Sequence, residues 1–163
     1  MTVDSKTVSG RRRLRFASFE ELLADAQQLT SSHDVRMLGN WPPSQLITHL
    51  ATTINASMDG IAGVKVKPPL TMRLLGPLLK WRVFKKGLPP GFRLPKSIEE
   101  RAYPSATSPQ DALEMLRAAV ERTKRETMTA RHPVFGQLTH DEWIHFHLQH
   151  AAMHLSFVVP GDR

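Results

Sequence analysis

The sequence predicts an all-α protein, a four-helix bundle with a long, basic, proline-rich crossover between its second and third helices. Three observations carry this. Four segments repeat apolar residues at helical spacing behind caps or turns. No segment sustains the period-2 alternation of a half-buried strand. Residues 64–107 hold Pro68, Pro69, Pro77, Pro89, Pro90, Pro95 and Pro104, which interrupt regular structure between the second and third helical segments.

The chain of 163 residues, 40% hydrophobic, suits one domain with one core. Residues 1–15 read as a flexible basic N-terminal arm with Lys6, Arg11, Arg12, Arg13 and Arg15, and residues 16–163 as a single helical domain. A secretory signal would follow such charges with an apolar stretch. Here Phe16 is followed by Ala17-Ser18-Phe19-Glu20-Glu21, which points to the cytoplasm. No run approaches the roughly 18–20 apolar residues of a membrane-spanning helix.

Ser18 and Glu21 form a capping box that opens the first helix, in which Phe19, Leu22, Leu23, Ala26 and Leu29 share one side and Ser31-Ser32 mark the end. Gly39-Asn40-Trp41-Pro42-Pro43-Ser44 is a turn into the second helix, with a stripe of Leu46, Ile47, Leu50, Ile54 and Met58 and a stop at Gly60 and Gly63. The crossover carries a short helical piece between Leu70 and Lys86, expected to break at Gly76-Pro77. Trp81, Phe84, Leu74, Leu75, Leu78 and Leu79 could form a lid over the bundle mouth. Ser108-Pro109 starts the third helix, which should run to about Thr129 on a face of Leu113, Leu116 and Val120. After a loop at His132-Pro133-Val134-Phe135-Gly136, Thr139 and Glu142 cap a fourth helix that should extend to Val159, before Pro160-Gly161. Met37, Met58, Met72 and Met115 read as core filling.

Charge is unevenly spread. The net +7 is concentrated between Lys65 and Arg101, where ten Lys/Arg face only Glu99 and Glu100; that segment carries +8 and the remainder −1. Such a patch attracts anions: nucleic acid, membrane headgroups or an acidic small molecule. It is equally a solvated charged loop. Nucleic acid is disfavoured, because interleaved aromatics in a groove-reading pattern are absent.

The histidines are the most informative feature. There are eight, five of them between His140 and His154, and no cysteine, so any metal must be held by imidazole or carboxylate. At about 100° per residue, with Trp143 at zero, His147 falls near about 40°, His150 near about 340° and His154 near about 20°. The three share a narrow stripe, whereas His145 points away. His150 and His154 stand at i, i+4, where two imidazoles can close on one metal. The same pattern fits a polar helix face, or core histidines satisfied by carbonyls. Burying several imidazoles is costly without a partner, which a shared cation would supply. His49, at the edge of the second helix's stripe, is the best third ligand; its position also fits exposure to water.

Trp41 followed eight residues later by His49-Leu50, then His150-x-x-x-His154-Leu155, resembles the DinB/YfiT-like superfamily. A closer resemblance is to a branch of unassigned function (DUF1569-like). The shared motifs are Gly39-Asn40-Trp41, Gly76-Pro77, Leu88-Pro89-Pro90-Gly91, and His132-Pro133-x-Phe135-Gly136-x-Leu138-Thr139-x-x-Glu142-Trp143. The likeness covers roughly 12–159. It implies a four-helix bundle with three metal-binding histidines, here His49, His150 and His154, and a homodimer as one arrangement. Relatives in the branch often pair two histidines at the end; here the first of the pair is Met153.

The resemblance implies a metal-dependent enzyme of hydrolase or thiol S-transferase type, acting on a small molecule such as a low-molecular-weight thiol; the basic crossover would favour an acidic one. Three imidazoles leave an open position for a water or a thiol. Zinc or nickel suits such a site, with iron or manganese as alternatives. His147 and His132 are candidates for a general base or for orienting a ligand; Asp59 and Glu142 are further candidates. The competing reading is a non-enzymatic helical binder that uses residues 65–101 for anions or nucleic acid.

Overall fold

A computed structural model describes residues 3–32, 34–61, 70–91, 105 and 107–161. The chain is mostly helical. Five helices occur among the described residues: α1 (Phe19–Ser31), α2 (Pro43–Asp59), α3 (Leu70–Lys86), α4 (Pro109–Thr123) and α5 (His140–Leu155). Two small antiparallel strand pairs accompany them, β1 (Val35–Met37) with β4 (Val158–Pro160), and β2 (Arg131–His132) with β3 (Gly136–Gln137).

The helix starts follow the caps. Ser18 Oγ accepts from the Glu21 N–H, while Glu21 reaches back to the Ala17 N–H at 2.7 Å, one residue before the cap. Thr139 and Glu142 complete a reciprocal capping box on α5. Ser108 caps α4, with Pro109 in the first turn. The apolar stripes meet in one core: Leu22 of α1, Ile47, Leu50 and Ile54 of α2, Leu116 of α4 and Leu155 of α5 are all at most 2% exposed. Each such side chain contributes about 1.5–3 kcal/mol on burial. α2 makes its broadest contact with α4 and also packs on α5, and the latter pairing positions the histidines.

Residues 3–15 carry no helix or strand, and several lie against the fold. The Arg12 N–H donates to the Ser156 carbonyl, and its guanidinium grips Asp25 at 2.6 and 2.9 Å. Leu14 and Phe16 pack on the core.

Four expectations are corrected. α3 runs unbroken through Gly76-Pro77; proline removes one N–H from the ladder, and the buried Gly76 lets the helix approach the Val134 carbonyl, 3.2 Å from where a Cβ would sit. α4 ends at Thr123 rather than near Thr129. Thr123 Oγ1 turns onto the Val120 carbonyl, and Ala130 N–H then bonds the Ser57 carbonyl, drawing the chain over to α2. α5 ends at Leu155 rather than Val159, because Val158–Pro160 pair with β1. Met37 and Met115 are exposed, at 51% and 41%, and fill no core. Gly63 and much of the basic stretch fall outside the described residues; Lys80, Arg82, Lys85 and Lys86 lie within them.

Candidate metal centre

His49 projects from the middle of α2, and His150 and His154 from successive turns of α5. His49 is 3% exposed, so its position between Leu46 and Leu50 faces the interior rather than water. The Nε2 atoms of His49 and His150 are 3.4 Å apart, and those of His150 and His154 are 2.9 Å apart. One nitrogen from each ring lies within 4.8 Å of the other two. Two nitrogens each bound at 2.0–2.1 Å to one ion would stand about 2.9–3.4 Å apart for bond angles between octahedral and tetrahedral.

The arrangement is awkward without a cation. His150 Nε2 faces both neighbours, yet a ring nitrogen offers either one hydrogen or one lone pair. Its Nδ1 is buried with no hydrogen-bond partner. Burial, followed by the neighbouring His154 and His49, pushes the His150 pKa well below its ordinary value. Burial, followed by His49, lowers that of His154 to about 3. His150 and His154 are thereby kept neutral, and three imidazoles with converging nitrogens are a donor set a divalent ion takes, so the three residues could hold a metal.

Aromatic rings fix their orientation. Phe146, one turn before His150, stacks on it at 5.4 Å and 17°. Trp41 lies parallel to His154, at 6.0 Å and 4°, and meets His49 edge-on at 5.5 Å.

A family model described as "Protein of unknown function (DUF1569)" matches residues 8–161. The chain belongs to the DUF1569 family. No curated protein and no solved structure matches it.

In this DUF1569 chain the three imidazoles open on a cavity of about 1320 Å³, walled largely by apolar side chains that include Trp41, Trp143 and Phe146. His147 and His132 also line it, but neither joins the three clustered nitrogens. His147 stacks on Trp143 at 5.3 Å and 17°, and its Nε2 is buried without a partner. His132 Nδ1 accepts the N–H groups of Val134 and Phe135, both at 3.1 Å, which assigns its proton to Nε2 and fixes the turn between β2 and β3. Burial lowers both pKa values to about 3, with His132 a smaller contributor at His147.

The two carboxylates proposed as bases are otherwise engaged. Asp59 binds the Arg122 guanidinium through both oxygens, which lowers its pKa. Glu142 is likewise lowered, by Lys80 at 2.7 Å and then by the Thr139 N–H. The lid expectation divides along α3. Leu79 lines the cavity, Phe84 packs on Phe135 and His145, and Leu75, Leu78 and Trp81 are exposed to solvent, while the Leu74 side chain lies outside those described.

The sequence reading gave Trp41 and Phe146 no part in holding the ligands. The i, i+4 spacing of Phe146 with His150, repeated by Trp143 with His147, was the available signal.

Proposed function

We propose that the DUF1569 chain is a metal-dependent enzyme of the DinB/YfiT-like type. In this reading α1, α2, α4 and α5 act as the four-helix bundle, and His49, His150 and His154 hold one divalent cation. Convergence of three imidazoles from two helices, on the lining of a large cavity, carries the reading. Bound there, zinc or nickel would supply Lewis acidity and lower the pKa of a water or a low-molecular-weight thiol. That chemistry suits hydrolysis or thiol S-transfer.

The chain's own residues supply the remainder. Phe146 and Trp41 keep the imidazoles aimed at a common point. The apolar side chains of the wall, Trp41, Trp143 and Phe146 among them, would lower the local polarity around the reacting end of a substrate and strengthen polar interactions there. His147 Nε2, buried and unpartnered one turn from His150, is a positioning candidate for a group that enters the cavity. His132 is committed by its Nδ1 to two backbone N–H groups and maintains the wall.

Elemental analysis after loading with zinc, nickel, manganese or iron tests the centre. About one equivalent per chain is expected, and loss of binding in the His49→Ala/His150→Ala/His154→Ala variant at unchanged helical circular dichroism. Less than about 0.1 equivalent in the native chain overturns the reading. Loaded protein would then be screened for ester or amide hydrolysis and for conjugation of small thiols.

A further inference from the structure

We infer that the outward face of α3 docks onto an anionic lipid surface, with the helix lying in the plane of the headgroups. A helix packed on one side normally turns a polar face to water. The side of α3 turned away from the protein keeps large apolar residues. Val83 is buried and Leu79 half-buried toward the cavity, while Leu75, Leu78 and Trp81 are 54%, 64% and 57% exposed. They are three of the six large hydrophobic residues exposed among the described residues. At about 100° per residue they share an arc of about 120°.

Charge completes the face. Leu70–Lys86 contains Arg73, Lys80, Arg82, Lys85 and Lys86 and no acid. Lys80 turns inward to Glu142. Arg82 and Lys85 are exposed on the same arc as the apolar residues and Lys86 lies just beyond its edge, and none of the three makes an ion pair among the described residues. The Lys85 ammonium lies over the Trp81 ring at 5.1 Å. A nucleic acid would satisfy the cations and leave Leu75 and Leu78 in water. A lipid surface satisfies both: phosphate takes the cations, the acyl boundary takes the leucines, and tryptophan favours the level between them. The face is α3's own and does not depend on the metal reading. No helix among the described residues is long and apolar enough to cross a membrane, and in-plane docking requires none.

The test uses the full chain with vesicles of phosphatidylcholine containing about 30% phosphatidylglycerol, and with phosphatidylcholine alone. Partition onto the anionic vesicles is expected to exceed that onto neutral ones by ~10-fold or more, with a blue shift of tryptophan emission. Trp81→Phe should remove the shift, because Trp143 is buried and Trp41, half-buried, is held against His49 and His154 rather than on α3; a shift that survives in Trp81→Phe would assign it to Trp41 and count against the proposal. Leu78→Glu and the double variant Lys85→Glu/Lys86→Glu should each weaken partition by ~10-fold at unchanged circular dichroism. Four results would overturn the proposal: no dependence on anionic lipid; partition unaffected by Leu78→Glu; heparin binding equally strong in Leu78→Glu with no lipid binding; or a dimer in light scattering that Leu78→Glu disperses, without lipid binding.

Discussion

The indole of Trp41 and the imidazole of His154 are parallel to within 4°, with ring centroids 6.0 Å apart. Trp41 precedes α2 and His154 ends α5, so this contact sets the orientation of one candidate ligand from the neighbourhood of another. Trp41→Leu keeps apolar bulk and removes the flat partner. We expect metal affinity to fall by about tenfold, the scale seen when a ligand loses its orienting neighbour, with helical content unchanged. Isothermal titration with zinc checks this; unaltered affinity would mean that His154 is held by other contacts.

Arg12 anchors the N-terminal residues to the end of α5. Its guanidinium binds both oxygens of Asp25 and also the Leu155 carbonyl at 3.1 Å, with the two side chains only 17% and 13% exposed. Removing one partner of a largely buried pair leaves the other unsatisfied. Arg12→Ala should cost about 2–4 kcal/mol in urea denaturation. Simultaneous loss of Asp25 should recover part of that, because no charge is then stranded.

His132 makes the metal-free chain acid-sensitive. Its folded-state pKa is about 3 against an ordinary 6.5, because burial opposes the charged form. Below pH 6.5 the unfolded chain takes a proton that the folded chain refuses, so stability falls as pH drops through this window. The contribution of His132 to the slope approaches about 1.4 kcal/mol per pH unit, and His147, His150 and His154, lowered in the same direction, add to it. Urea midpoints at pH 7.5, 6.0 and 5.0 should decline, and His132→Gln should make the decline shallower by the share of one proton.

Asp59→Asn should leave metal stoichiometry intact and change stability by less than about 1 kcal/mol, since its bond to Arg122 is a surface pair with the carboxylate 58% exposed. A large loss of metal or activity would restore Asp59 as a participant in the chemistry.

What the sequence made legible followed local rules with strong signals. Ser18, Ser108 and Thr139 mark helix starts because a hydroxyl cap leaves a recognisable pattern, and the i, i+4 pair His150/His154 fixes its own geometry. His49 was open between ligand and solvent, since an edge position on a helical stripe has no neighbour until α2 is set against α5. The ends of α4 and α5 were misplaced for a related reason. Residues 124–129 are compatible with helix, but Met128 is used in a separate cluster with Leu138, Trp143 and Phe146. Three-residue strands such as β1 and β4 are too short to show alternation, so a pairing between residues more than a hundred positions apart left no trace in either segment.

That pairing has a consequence for the histidines. β4 leaves the end of α5 just after His154, and β1 precedes the turn that carries Trp41 and begins α2. Val35, Arg36 and Met37 align with Pro160, Val159 and Val158, and the Leu38 N–H adds a bond to the Phe157 carbonyl at 2.8 Å. The ribbon works as a cross-tie between the two rods that bear the imidazoles and fixes their spacing from outside the cavity. On the proposed reading an ion would meet nitrogens already brought within 4.8 Å of one another, so capture should need only small movements of the side chains rather than rearrangement of the helices. Severing the tie, as with Val159→Pro, should loosen the spacing of His49 from His150 and His154 and slow zinc uptake in stopped-flow mixing, if the three histidines hold the ion as proposed.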